Sequence, residues 1–191
     1  MLGQLSGSWR DARARDVGTL PAKFKNRTGA MMIKTLDTKT FWTLLGMRAI
    51  GAAIVTAIGP EGPAGFLGLS ATHVTANPPT MLVSVGHRTS ALTAVTESGS
   101  FAINYLPKER EDLARLFGGQ GDVKGADRFL PEEWTTLTTG SPVLTGAIGA
   151  IDCRVDDAIE RHDVVIFLGN IVDWIHGGTK QPLVSFAGGY V

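Results

Sequence analysis

The sequence has one cysteine, Cys153, so it can form neither an intrachain disulfide nor a multi-cysteine metal site. Cys153 reads as an apolar strand residue, in keeping with a reducing cytoplasm. Long hydrophobic runs are also missing: the apolar stretch Ala49 to Ile58 stops at Gly59-Pro60, short of the roughly 18 residues that a bilayer demands. Neither sign of charge dominates, with 18 Lys plus Arg against 18 Asp plus Glu, so no overall field draws the chain to nucleic acid or an anionic membrane. The expectation is a soluble, cytoplasmic protein whose partners are neither nucleic acid nor membrane.

Several catalytic signatures are absent as well. No Gly-x-Gly-x-x-Gly or Walker loop joins a strand to a helix; Gly119-Gln120-Gly121 follows a helix and has Lys124 where the third glycine belongs. Gly68-Leu69-Ser70-Ala71-Thr72 lacks the second glycine of a nucleophile elbow. His73, His87, His162 and His176 show no His-x-x-x-His or His-Glu spacing, so no metal site is expected.

What is present is a chain of 191 residues, 43% of them hydrophobic, enough for one core and one domain with appendages. Residues 1–30 carry six basic and two acidic side chains and no continuous apolar segment, and read as a flexible basic N-terminal extension to a domain at 31–191. Met31-Met32, directly before the first patterned segment, offers an alternative starting point.

Asp37 can cap a helix with Phe41, Leu44 and Leu45 on one face, ending by Gly51. Ala52 to Ile58 is apolar and β-branched, and the turn formers Gly59 to Pro63 make it the first arm of a hairpin that resumes at Gly65. Asn77-Pro78-Pro79 interrupts the next extended run before a strand at Met81 to Val85. A helix over Thr89 to Ser98 closes on Gly99, a strand follows at Phe101 to Leu106, and a helix over Pro107 to Phe117 ends at Gly118-Gly119. Gly118 to Leu130 reads as a mobile loop able to fold over a ligand. Long strands at Ala147 to Ile159 and Val164 to Ile175 flank a charged turn, and a short one lies near Pro182 to Phe186. Strands dominate and βαβ units are lacking, which predicts a mainly β fold, a barrel with a few capping helices.

Over residues 41 to 190 the order of features resembles the flavin reductase-like family of FMN-binding split barrels, which includes reductase components of two-component flavin monooxygenases. The likeness is carried by Gly65 with Thr75 and Asn77-Pro78-Pro79, by Arg88-Thr89-Ser90, and by Ser98 to Leu106. Phe117-Gly118-Gly119, Phe129 with Trp134, Ser141 to Leu144, Ile151 to Cys153, His162, Gly169, Pro182-Leu183 and Tyr190 complete it.

The resemblance implies a homodimer of split β-barrels that binds FMN or FAD near the dimer interface and takes hydride from NADH or NADPH. It implies supply of reduced flavin to a partner monooxygenase. The same family accommodates reduction of a bulky acceptor such as a corrinoid by a bound flavin, and a non-catalytic flavin- or haem-binding barrel is the remaining reading. The flavin ring maps onto Gly68, Leu69, Ser70, Ala71 and Thr72, and its phosphate onto Arg88, Thr89 and Ser90. Phe117 and Tyr190 are further cofactor-binding candidates, with no acid/base dyad required. A Gly-Asp-His turn that contacts the nicotinamide nucleotide in relatives reads Glu160-Arg161-His162 here, leaving His162 as the candidate and Arg161 as a possible contact for a 2′-phosphate. Leu67, Leu69, Ala71 and His73 depart from the small hydroxyl or aromatic residues common in relatives. Independently of the family, an arginine fork with hydroxyls at a helix N-terminus suits a phosphate. Simple helix capping by Thr89 or Ser90 is the competing explanation.

Overall fold

A computed structural model describes residues 35–191, and the fold lies in Thr38–Val191. The basic extension and Met31-Met32 fall outside the described residues. The chain is mainly β. In order come α1 (Thr38–Gly46), β1 (Ile50–Gly51), β2 (Ala53–Gly59), β3 (Gly62–Leu67), β4 (Thr72–Ala76), β5 (Pro79–Gly86), α2 (Ala91–Ser98), β6 (Ser100–Tyr105) and α3 (Glu111–Phe117). Then follow β7 (Trp134–Thr136), β8 (Pro142–Leu144), β9 (Gly149–Arg161), β10 (Val164–His176), β11 (Val184–Phe186) and β12 (Gly189–Tyr190).

Seven strands form one antiparallel sheet in the order β3-β2-β6-β9-β10-β5-β4. Its two edge strands are consecutive in sequence, joined only by residues 68–71. Laid flat, the sheet would separate β3 from β4 by six strand spacings, about 29 Å. The five Cα steps from Leu67 to Thr72 span at most about 18 Å. The sheet therefore curls until its edges approach at this turn, while no ladder pairs β3 with β4. The result is a split β-barrel, the architecture anticipated from the sequence, with its split bounded by β3 and β4.

The interior is filled from both ends of the sheet. Val55, Val83, Val85, Phe101, Ile103 and Phe167 form one cluster, closed by Ala91, Ala94 and Val95 of α2. Small residues on α2 permit its close approach: the Cα of Ala94 would lie 3.0 Å from a Cβ at Gly59. Leu113, Ala114 and Phe117 of α3 join Ile54, Leu106, Leu144 and Leu183 in a second cluster.

Two polar networks pin β8 and the segment before it. The Asn104 amide nitrogen donates to the Ile54 carbonyl and its oxygen accepts from Leu144 N–H at 2.8 Å. The Asp152 carboxylate, fully buried, accepts from the Thr139 N–H at 2.8 Å and from the Thr139 hydroxyl, which also bonds Ser141 Oγ. Burial raises the pKa of Asp152, opposed by the two bonds from Thr139. A carboxyl held above its unfolded value keeps a proton that the unfolded chain has lost, so its contribution is present at low pH and disappears as pH rises through the folded value. Asp152→Asn retains one acceptor and cannot titrate. Urea unfolding at stepped pH is expected to show the wild type losing stability relative to Asp152→Asn just above the usual carboxylate range; parallel pH profiles would exclude this role.

Several boundaries differ from the sequence expectation. The first helix stops at Gly46, and Ile50–Gly51 pairs with Ser185 and Val184 instead of ending it. Its Phe41, Trp42 and Leu44 are 43%, 62% and 60% exposed, so this helix buries no apolar face. Thr89 and Ser90 belong to the turn before α2, because Thr89 N–H bonds Gly86 and Leu92 N–H bonds Thr89. The helix expected from Pro107 is a 3₁₀ turn at Lys108–Arg110 followed by α3, since Arg110 (φ −106°, ψ 39°) leaves helical geometry. The β9 strand starts at Gly149 and continues to Arg161, whereas Pro182 makes only an isolated bridge to Pro107. The β7–β8 hairpin and β12 were not evident, being strands of two or three residues.

Candidate functional site

The turn across the split, with the first residue of β4, holds five of the residues singled out from sequence. Gly68 donates its N–H to Ala53 at 2.8 Å, and Ala71 N–H returns to the Gly68 carbonyl at 3.0 Å. Only glycine fits at 68: a Cβ there would stand 2.4 Å from Val55 Cγ2. Ser70 Oγ accepts from Ser84 N–H at 3.3 Å, strapping the turn to β5. Ala71 packs on the first core cluster. The N–H groups of Leu69 and Ser70 and the hydroxyl of Thr72 make no hydrogen bond to a described residue. Two adjacent unpaired amides beside a free hydroxyl suit the carbonyl and ring-nitrogen edge of a flat heterocycle.

Beyond Ser84, β5 ends at Gly86, and the chain turns through His87 and Arg88, closed by the bond from Thr89 N–H to Gly86. Arg88 and Ser90 are exposed and Thr89 is half-buried. Among described residues the Arg88 guanidinium has neither ion pair nor hydrogen bond, and Ser90 makes no side-chain cap bond to α2. Capping is therefore not what Ser90 does. The N–H groups of Arg88 and Ser90 likewise lack partners among described residues. A cation, free amides and a free hydroxyl thus follow one another in the turn that leads into α2, the donor set for a phosphate.

The β9–β10 turn lies against this segment. His87 N–H bonds the Asp163 carbonyl at 3.0 Å, and His87 Nε2 stands 3.6 Å from Glu160 Oε1. His162 at the tip is exposed with φ +51°, a left-handed conformation that a tight charged turn imposes. The fold thus gathers Gly68 to Thr72, Arg88 to Ser90 and His162 around β5 and its neighbours.

Phe117 and Tyr190 sit elsewhere. Phe117 is 3% exposed, edge-on to Phe129 at 5.2 Å and beside Trp134 at 5.7 Å. Tyr190 is half-buried on the same cluster, with the Arg115 guanidinium 5.7 Å above its ring. Phe117 lies against β3, where a Cβ at Gly65 would stand 3.1 Å from its ring. Sequence reading missed Arg128, whose guanidinium lies 4.5 Å from the Phe117 ring centroid and donates to the Gly65 carbonyl at 3.0 Å. That contact pins the far end of the expected mobile loop, where Gly125–Arg128 forms a 3₁₀ turn. A shallow cavity of about 320 Å³, lined by Ile58, Pro63, Phe129 and Trp134 among others, contains none of the candidates.

The model of the flavin reductase like domain matches residues 47–191. An FMN reductase (NADH), RutF, of Ancylobacter novellus is 38% identical over 148 residues, covering 75% of this chain and 80% of that protein. The solved NADH:FAD oxidoreductase SgcE6 of Streptomyces globisporus superposes with a TM-score of 0.73 at 26% identity, over 83% of this chain and 96% of that one. The styrene monooxygenase flavin reductase of Pseudomonas putida S12 superposes with a TM-score of 0.68 at 25% identity, over 79% and 95% of the two chains.

Proposed function

The chain belongs to the flavin reductase-like family, and from that premise we propose that it is an oxidoreductase that uses NADH to reduce FMN and delivers the reduced flavin to a partner monooxygenase. The observation that carries the reading is the pairing of two adjacent amides at the split, unpaired among the described residues, with an arginine and a hydroxyl without described partners ahead of α2.

When bound, the flavin supplies the hydride-accepting chemistry, and the nicotinamide supplies the hydride. The chain's share is placement. The Leu69 and Ser70 amides would hold the polar edge of the ring and would favour negative charge there. Gly68 lets the turn lie directly on β2, and the Ser70–Ser84 strap keeps it there. Arg88, with Ser90, would hold the phosphate through charge-assisted bonds. His162 stands where a second nucleotide would approach. No side chain here is asked to move a proton, in keeping with a transfer that depends on stacking and orientation.

FMN over FAD and NADH over NADPH follow the name of the Ancylobacter relative; Arg161 is the residue that would favour NADPH. A homodimer is supported by β4, an edge strand with all five residues exposed, and by the 68% exposed Trp174 on β10. No described helix is long and apolar enough to cross a membrane, and the reaction proposed belongs in the cytoplasm.

The test is absorbance at the nicotinamide band with purified protein, crossing NADH or NADPH with FMN, FAD or a corrinoid. Saturable NADH oxidation that scales with free FMN is expected. Oxidation only with a corrinoid would replace FMN as the acceptor, and none with any pair would leave a flavin-binding protein without turnover.

A further inference from the structure

Three arginines lie on or beside α3, and two are neutralised. Arg110 contacts Asp112 and Glu133, at 3.0 and 2.8 Å, and Arg115 is paired with Glu111. Arg128 differs. Among described residues no carboxylate lies within ion-pairing distance of it, although it is half-buried and desolvation holds its pKa below the usual guanidinium value. Its position is nonetheless fixed, by the ring of Phe117 and by bonds to the Gly65 and Gly125 carbonyls at 3.0 and 3.2 Å. Nη1 has no partner among the described residues, so one side of the guanidinium still has N–H groups to donate.

Its location relates it to the split. Gly65 is on β3, an edge strand of the large sheet, three residues and about 10 Å from Gly68. The glycine-rich segment ending at Arg128 follows the same strand. A Cβ at Gly118 would lie 3.5 Å from Leu67, and one at Gly62 would lie 3.6 Å from Ala126. A cation held in place, with no carboxylate partner among the described residues, thus stands on the β3 side of the cradle, while Arg88 follows β5, the neighbour of β4. One arginine accounts for the single phosphate of FMN. The second calls for a further anion next to the same ring site.

We propose that Arg128 binds the diphosphate of a dinucleotide, either the nicotinamide donor or FAD, and positions it against the flavin cradle. The inference rests on the flavin reductase reading. A fixed guanidinium matches phosphate oxygens through charge-assisted bonds, and the Phe117 ring and backbone carbonyls keep it charged and aimed when no ligand is bound.

The experiment compares wild type, Arg128→Gln and Arg128→Lys in steady-state NADH oxidation at saturating FMN, with FMN and FAD dissociation constants and Tm measured in parallel. Arg128→Gln is expected to raise the KM for NADH about tenfold while the FMN constant stays within about twofold, and Arg128→Lys to recover part of the loss. If FAD weakens tenfold instead and the KM for NADH holds, the diphosphate bound is that of FAD. Inorganic pyrophosphate should inhibit the wild type competitively with NADH, beyond sulfate at equal ionic strength, and should inhibit Arg128→Gln weakly. A lower Tm with unchanged KM, FAD affinity and pyrophosphate inhibition would overturn the proposal and leave Arg128 a structural clamp. Should both variants misfold, the wild-type pyrophosphate arm decides alone: no competition with either NADH or FAD beyond sulfate overturns it. Failure of the wild type to oxidise NADH at all would instead count against the flavin reductase reading.

Discussion

Arg88→Ala is expected to weaken FMN binding by about 1.5 to 3 kcal/mol, or about 10- to 150-fold in Kd, the worth of hydrogen bonds to a charged group. The side chain is exposed and engages no described residue, so its removal should leave Tm unchanged and the loss can be read as binding alone. Fluorescence titration with FMN and with riboflavin makes the prediction specific. Riboflavin has no phosphate, so its affinity should be the same in wild type and Arg88→Ala. Arg88→Lys should recover part of the FMN affinity, since it restores charge without the two-pronged geometry. Equal FMN constants in wild type and Arg88→Ala would remove Arg88 from the site.

How far the sequence reveals this site depends on where each signal resides. Arg88-Thr89-Ser90 became a candidate through the family resemblance, supported by the local pattern of a cation and hydroxyls ahead of a helix, and the structure adds that Ser90 makes no side-chain cap bond. The strand-rich pattern likewise told a barrel from a Rossmann sheet. The split was not legible from periodicity. It follows from β3 and β4 being sequence neighbours yet opposite edges, a fact about pairing order that no window of residues contains. The first helix misled for a related reason. Phe41, Leu44 and Leu45 have helical spacing, but spacing does not say what covers them, and here Phe41 and Leu44 stay exposed and only Leu45 is half-buried. Arg128 was invisible because an arginine in a glycine-rich loop looks solvated, whereas its anchors, Gly65 and Phe117, are respectively 63 residues away and on the preceding helix.

Gly68→Ala should damage both the fold and the cradle. The added methyl would stand 2.4 Å from Val55 Cγ2 and 3.4 Å from Val55 Cβ. Val55 has 0% exposure and is enclosed by the first core cluster, so it cannot rotate away freely. The turn must lift from β2, straining the 2.8 Å bond from Gly68 N–H to Ala53 and displacing the Leu69 and Ser70 amides from the ring position. Overpacking of this kind costs about 1 to 3 kcal/mol, which urea unfolding would register. Gly51→Ala serves as the control, because a Cβ there meets nothing within 4 Å, and it should unfold as the wild type does. The ligand pattern separates this variant from Arg88→Ala. Displaced amides weaken the ring contacts, so riboflavin and FMN should lose affinity together, whereas loss of Arg88 affects FMN alone. If Gly68→Ala kept riboflavin affinity intact while losing stability, the turn would be a structural hinge of the split and the ring would have to be held by another segment.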